Sequence, residues 1–179
     1  MPDAVTMHPI DSGDFVLEPQ VVAHAEPMFA VLADPAIYAH ENAPPPSVDW
    51  LRERFRRLES RRPADGRELW LNWVIRLPDG RLAGYVQATV REDGSAGVAY
   101  VLNSVHWGRG LGTRAVQAMI GELSARYGVR RLTAVLKRGN ARSLRLLERL
   151  AFVPAPDRWR AEHGVEPDEL LLRRDAARA

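Results

Sequence analysis

Gly108, Gly110 and Gly112 stand at alternate positions between an apolar run, Val98 to Leu102, and a long amphipathic stretch that starts at Arg109. Glycines at a strand-to-helix junction leave backbone N–H groups open at a helix N-terminus, where the dipole favours an anion. The ligand this implies is a phosphate or pyrophosphate. The backbone amides of Arg109, Gly110, Leu111, Gly112 and Thr113 are the candidate donors, with the Thr113 hydroxyl as one more. Further on, Asn140-Ala-Arg-Ser143 opens a second helical stretch, followed by Leu150-Ala-Phe152. Asn140 suits a helix cap there. Arg142, Arg145 and Arg149 recur at three- and four-residue spacing and share one stripe. That stripe is either a solvated face or a phosphate site.

Two familiar phosphate loops do not fit. A nucleoside-triphosphate loop ends in Gly-Lys-Ser/Thr, whereas this one ends Leu111-Gly112-Thr113 without lysine. A dinucleotide fingerprint follows its strand at once and opens a series of βαβ units. Here Ser104–Trp107 intervene, and too little chain remains. A turn that merely packs helix against sheet does not require three alternating glycines, since each costs about 1 kcal/mol where it is not needed.

The chain has 179 residues, which bounds it to one domain with a sizeable core. A formal net charge of +2 excludes a strongly basic nucleic-acid binder. Lys137 is the single lysine among 25 basic residues, an arginine bias of composition and not of chemistry. The absence of cysteine removes disulfides, thiolate metal sites and a cysteinyl-acyl intermediate. No metal is expected. Neither a signal-peptide pattern nor a membrane-length apolar run is evident, so a cytoplasmic protein without membrane contact is the default expectation. The arginines of Arg52–Arg62 read as a solvated face, because the aromatic interleaving of a nucleic-acid surface is missing.

The elements that must hold these residues are predicted as follows. Residues 1–13 form a loose arm and 14–179 a single domain. Asp14–Glu18 is a short strand with Phe15 and Leu17 on one face, stopped by Pro19. Gln20–Leu32 is helical, kinked or split at Pro27. The prolines of residues 34–46 forbid regular structure. Ser47 caps a helix over Val48–Arg61, with Trp50, Leu51, Phe55 and Leu58 inward. Glu68–Leu77 alternates with Leu69, Leu71, Trp73 and Ile75 on one face, and Pro78-Asp79-Gly80 turns it back into Leu82–Val90. Gly97–Asn103 is the strand before the glycines. Arg109–Tyr127 is a helix closed by Gly128, Arg131–Leu136 a strand, Asn140–Leu150 the last helix. Phe152–Val153 and Glu169–Arg173 are closing strands. A meander followed by strand–helix–strand–helix is an α/β fold with a mixed sheet, of α+β character.

Trp107-Gly-Arg-Gly-Leu-Gly112 resembles the acyl-CoA pyrophosphate loop of the GNAT acetyltransferase superfamily, Gln/Arg-x-x-Gly-x-Gly/Ala, with Trp107 at the first position. A Trp-Gly pair there, Asn140-Ala-Arg-Ser143, and Phe152 resemble the branch of the ribosomal-protein N-terminal acetyltransferases (RimJ/RimL type). The likeness covers roughly residues 14–174. It departs at Ala151, where the branch has glycine, and at Arg114, where it often has glutamate.

The resemblance implies a central, mostly antiparallel sheet with a splayed parallel pair, flanked by helices. It implies an N-acetyltransferase in which an amine attacks the thioester of acetyl-CoA directly. Leu102, Asn103 and Ser104 would give the strand edge that pairs with pantetheine. Asn140, Ser143 and Arg145 would contact coenzyme A, the last at its 3′-phosphate. Many relatives protonate the departing thiolate with a tyrosine where this chain has Leu147. Ser143 takes that role by likeness to RimL-type enzymes, the alternative being a serine that only serves the helix N-terminus. The base that deprotonates the amine is open among His40, Glu41, Glu92, Asp93, His106, Glu162 and His163, with Glu162 favoured by branch resemblance. The acceptor is a protein or peptide N-terminus or a small amine, and a homodimer is left open. The competing reading is a non-catalytic GNAT domain that binds coenzyme A as a sensor or docks a partner.

Overall fold

The computed structural model describes residues 5–40 and 42–175. Eight strands form one sheet in the order β1-β2-β3-β4-β5-β6-β8-β7. These are β1 (Ile10–Asp11), β2 (Val16–Pro19), β3 (Glu68–Arg76), β4 (Leu82–Arg91), β5 (Ser95–Leu102), β6 (Arg131–Lys137), β7 (Val153–Pro154) and β8 (Glu169–Asp175). All neighbours are antiparallel except β5 and β6. That parallel pair is in register only at Ser95–Arg131, Ala96–Leu132 and Gly97–Thr133. Beyond these residues β5 stays on β4 as far as Leu102 opposite Gly84, and β6 stays on β8 as far as Lys137 opposite Glu169. The two strands therefore diverge into an open V.

Alternation along β3 sends Trp73 and Val74 to opposite faces, and both are fully buried. On one face Leu71, Trp73 and Ile75 pack with Val116, Met119 and Leu123 of α3 (Leu111–Tyr127) and with Leu147 of α4 (Ala141–Arg149). On the other, Val74 and Leu82 meet Met28 and Leu32 of α1 (Ala25–Leu32) and Leu51 and Phe55 of α2 (Val48–Glu59). A short fifth helix, α5 (Arg158–Glu162), breaks the loop before β8.

Most elements fall within two or three residues of the sequence reading, and the differences have local causes. The N-terminal segment is not a loose arm throughout. Ile10 and Asp11 pair with β2, Val5, Met7 and Ile10 pack on the core, and Trp73 Nε1 donates to the His8 carbonyl at 3.2 Å. Isolated apolar residues in a polar stretch carry no periodicity, so only the partner strand reveals them. Pro27 does not kink a helix: a 3-10 turn, Val22–His24, ends just before α1, and Pro27 lies in the first turn of α1, where the missing N–H has no partner to lose. Another 3-10 turn, Pro35–Tyr38, occupies the proline loop, capped by Asp34. Ser47 caps α2 by accepting from the Trp50 N–H at 3.1 Å, but Trp50 itself is 47% exposed.

Two backbone positions invite measurement. A Cβ on Gly84 would sit 2.0 Å from the Val101 carbonyl oxygen, a backbone atom that cannot rotate away. Gly84→Ala is expected to lower stability by about 1–3 kcal/mol in denaturant unfolding, because the strands must part to admit it. Helix α4 ends with Phe152 N–H on the Leu147 carbonyl (3.0 Å) and Ala151 N–H on the Glu148 carbonyl (2.9 Å), a Schellman arrangement. Ala151 takes φ 61 there, a left-handed conformation that glycine adopts without the steric cost of about 1–2 kcal/mol. Ala151→Gly should raise the melting temperature by about 1–4 °C, after part of that gain is lost to the greater freedom of unfolded glycine. An unchanged or lower value would show that the turn is unstrained.

Candidate active site

The mouth of the V is built by the chain that leaves β5. Asn103 caps a 3-10 turn, Ser104–His106, by accepting from the Val105 N–H at 3.2 Å. Its Nδ2 donates to the Val31 carbonyl of α1 at 3.0 Å, and the Ser104 N–H donates to Asp34 Oδ2 at 2.8 Å. Hydrogen bonds from Ser104 hold the Asp34 carboxyl below its ordinary range. Trp107 folds back, donating from Nε1 to the Leu102 carbonyl at 2.9 Å. The chain then passes Gly108 and Gly110, both left-handed at φ 73 and 74, and enters α3. No atom lies within 4 Å of a Cβ built on either glycine, so the space above them is open. The first bond into α3 runs from Arg114 N–H to the Gly110 carbonyl at 3.1 Å, which leaves the amides of residues 111–113 without a backbone acceptor. Gly112 serves packing instead: a Cβ there would come within 3.1 Å of Leu146 on α4.

Helix α4 closes the other arm. Asn140 caps it, accepting from the Ser143 N–H at 3.1 Å. The Ser143 hydroxyl is thus free of capping, and it lies 2.6 Å from the Tyr100 hydroxyl of β5. Burial pushes the Tyr100 hydroxyl up to about 12, partly offset by the bond to Ser143, so it stays protonated at neutral pH. Leu147, at the relatives' tyrosine position, is buried. The Arg142 guanidinium lies 3.3 Å over the Trp107 ring. Arg142, Arg145 and Arg149 all line the cleft, and none has a carboxylate within salt-bridge distance among the described residues.

The cleft encloses about 750 Å³ and runs from the glycine loop and α4 through the V to the α1–α2 side of the sheet. Of the residues read from sequence, Leu102, Gly110, Leu111, Gly112, Thr113, Asn140, Ser143 and Arg145 line it. Arg109 is exposed and does not, leaving only its amide to the loop. Asn103 and Ser104 do not line it either, being engaged by α1 and Asp34. The Asn103 N–H crosses to the Ala83 carbonyl of β4 at 2.9 Å, so alternation turns the backbone of Tyr100 and Leu102 toward the gap. The free edge therefore lies two residues earlier than expected, with the Leu102 carbonyl already taken by Trp107. Arg114 donates from Nε to the Gly110 carbonyl at 3.4 Å, and its guanidinium pairs with Asp14 over the Phe15 ring.

Glu162 is exposed at the end of α5 and does not line the cleft. His163 stacks beside Trp159 at 6.1 Å, and Asp93 caps the β4–β5 turn by accepting from the Ser95 N–H at 2.9 Å. Glu92 does not line the cleft either, and Glu41 lies outside the described residues. His40 and His106 do line it. Burial, then Arg81 and Arg109, hold His106 below its ordinary value and hence neutral. Tyr100 was missed by the sequence reading although it shares the alternation of Val98 and Leu102. Its partner is distant in sequence, and nothing local announces the contact.

A model of the acetyltransferase (GNAT) domain matches residues 14–153. The chain belongs to the GNAT acetyltransferase family. Ribosomal-protein-S5-alanine acetyltransferase from Vibrio fischeri shares its fold, with a TM-score of 0.77, 16% identity, and coverage of 95% of this chain and 97% of that one. A RimL ribosomal L7/L12 α-N-protein acetyltransferase in complex with coenzyme A also superposes at 0.77, with 17% identity over 94% and 98% of the two chains. A GNAT-family acetyltransferase structure from Bordetella pertussis, described as putative, reaches 26% identity and 0.73 over 94% and 99%. No curated protein matches by sequence. The fold is thus that of RimJ/RimL-type acetyltransferases. Among the described residues no helix is long and apolar enough to cross a membrane, and no group of metal-ligating side chains occurs.

The glycine loop is testable apart from catalysis. Gly110→Glu should abolish acetyl-CoA binding in calorimetric titration, because a carboxylate would enter the phosphates' place. Gly110→Ala adds only the backbone strain, about 1–2 kcal/mol of stability, and should keep measurable binding. Equal affinities for wild type and a folded Glu variant would exclude this loop as the phosphate site.

Proposed function

We propose that this protein transfers an acetyl group from acetyl-CoA directly to a primary amine. The observation that carries the reading is the hydroxyl pair, Tyr100 and Ser143 at 2.6 Å, set in the gap of the sheet where one cleft runs from the open glycine loop to the α1–α2 side. The open amides after Gly110 and the unpaired Arg142, Arg145 and Arg149 suit the phosphates of coenzyme A. The edge of β5 at Tyr100 and Leu102 suits the amides of pantetheine. The amine enters from the α1–α2 side and attacks the thioester carbon. The new N–C bond forms as the C–S bond breaks, and the sulfur takes the electron pair. Ser143 donates its hydroxyl proton to that sulfur and takes one back from solvent, while Tyr100, protonated at neutral pH, keeps its hydroxyl hydrogen-bonded to Ser143 Oγ. The amine proton leaves to water or to His40, an imidazole that lines the cleft.

The protein is accordingly expected to act in the cytoplasm on soluble amines, needing neither metal, nucleic acid nor membrane, and a homodimer is compatible with the exposed sheet edges. The rival reading is a coenzyme A sensor of the same fold. It predicts coenzyme A binding with no thiol released from any amine. Release of free thiol that depends on an added amine, with the acetylated amine identified by mass spectrometry, decides between them.

Ser143→Ala should lower kcat by roughly 10²–10⁴-fold with KM for acetyl-CoA within about threefold. Tyr100→Phe should lower kcat by about tenfold, the worth of one lost hydrogen bond to a group that becomes charged. A folded Ser143→Ala variant with kcat within about threefold of wild type would end the acid assignment.

A further inference from the structure

Among the described residues the cleft is lined by no aspartate or glutamate. Its acceptor half, beneath α1 and α2, holds one basic side chain, Arg54, and the aromatic rings of Tyr38, Trp50 and Tyr85, while the His40 ring lies against Gly139 between β6 and α4. Tyr38 is committed to the Leu32 carbonyl at 2.7 Å. Of the α2 arginines, Arg54 and Arg57 have no carboxylate partner among the described residues, and of these two only Arg54 lines the cleft. Arg52 is paired with Asp49 at 2.7 Å and Glu26 at 3.1 Å, and Arg56 is paired with Glu53. Arg54 has no carboxylate within 4 Å among the described residues, and its guanidinium lies 5.7 Å over the Trp50 ring, which steers it along the cleft wall. Its charge reaches the Tyr85 hydroxyl at the pocket floor, which burial pushes up to about 12.

An amine can attack only as the free base. In a half-enclosed site with arginine and no carboxylate among the described lining residues, a protonated amine is disfavoured, so the pocket itself helps strip the proton. The same field repels an acceptor that carries further positive charge. It rewards one whose own carboxylate meets the guanidinium, a planar fork suited to two-point carboxylate recognition.

We infer that the acceptor is a primary amine whose own molecule carries a carboxylate, held by Arg54 at the Trp50 edge of the cleft. The inference rests on the acetyl-transfer reading above and names the substrate class for that site. The carboxylate has two sources, a free amino acid or an acidic residue near a peptide N-terminus, and the same chemistry serves both.

The test compares matched amines. Glycine against glycinamide probes the amino-acid source. Ser-Asp-amide, Ser-Asn-amide and Ser-Lys-amide probe the peptide source. In wild type the carboxylate member of a series should exceed its amide partner in kcat/KM by about tenfold or more, with the lysine peptide slowest. In Arg54→Gln that ratio should shrink to within about threefold, and Arg54→Lys should keep part of it. The series that shows the preference identifies the source. A wild type indifferent to the carboxylate in both series, or a folded Arg54→Gln that keeps the full preference, overturns the inference. Calorimetric binding of the same amines to the protein saturated with coenzyme A gives a readout free of turnover. If no amine releases thiol, acetyl transfer fails as a reading. The Arg54 inference then stands on tighter binding of the carboxylate amines that Arg54→Gln removes, and falls if that is not seen.

Discussion

Parallel strands β5 and β6 share backbone pairing only from Ser95–Arg131 to Gly97–Thr133, and the functional architecture follows from that short contact. Each strand keeps its outer partner, so neither loses its place when the two diverge. A sheet is ordinarily a wall between two layers. Here the divergence opens it, and the face under α3 and α4 communicates with the face under α1 and α2. Helix α4 reaches into the opening and meets β5 through one hydroxyl pair, Ser143 and Tyr100. Unpaired backbone at the gap is tolerated because the cleft admits solvent, and it is the natural partner for a ligand that carries amides.

Charge is distributed along the cleft to match. Backbone amides and arginines occupy the end beneath α3 and α4, neutral hydroxyls the middle, and Arg54 the far side. Exposed unpaired arginines cost little while solvated and become effective when a partner excludes water. The two halves are also tied mechanically. Asn103 on the Val31 carbonyl and Ser104 on Asp34 fasten the loop before the glycines to the end of α1. The pocket that would hold an amine is thus braced against the loop that would hold phosphates, which favours the fixed separation a direct transfer needs.

Much of this was legible without coordinates, because it depends on local rules. Alternation in Leu69, Leu71, Trp73 and Ile75 identified a half-buried strand. Ser47 and Asn140 announced their helices by capping chemistry, and Gly128 closed α3 in the left-handed conformation its position requires. The glycine loop was readable for the same reason, since its signal lies in the backbone freedom of adjacent residues. What failed was contact between residues distant along the chain. Tyr100 gained its role from Ser143, Arg114 was drawn to Asp14, and residues 10 and 11 became a strand only through β2.

The sequence by itself determined the order of elements apart from β1 and α5, the glycine loop that opens α3, and the family to which these belong. Tertiary structure alone decided which groups share the cleft. It left Glu162, Asn103 and Ser104 outside the lining, placed Tyr100, Trp50 and Arg54 within it, and left the described walls without a carboxylate. The reason is physical. Helix periodicity, capping and turn conformation are set by neighbours a few residues apart. Which hydroxyl meets which, and which arginine stays unpaired, is set by how far two strands diverge and what the helices on either side bring to the gap.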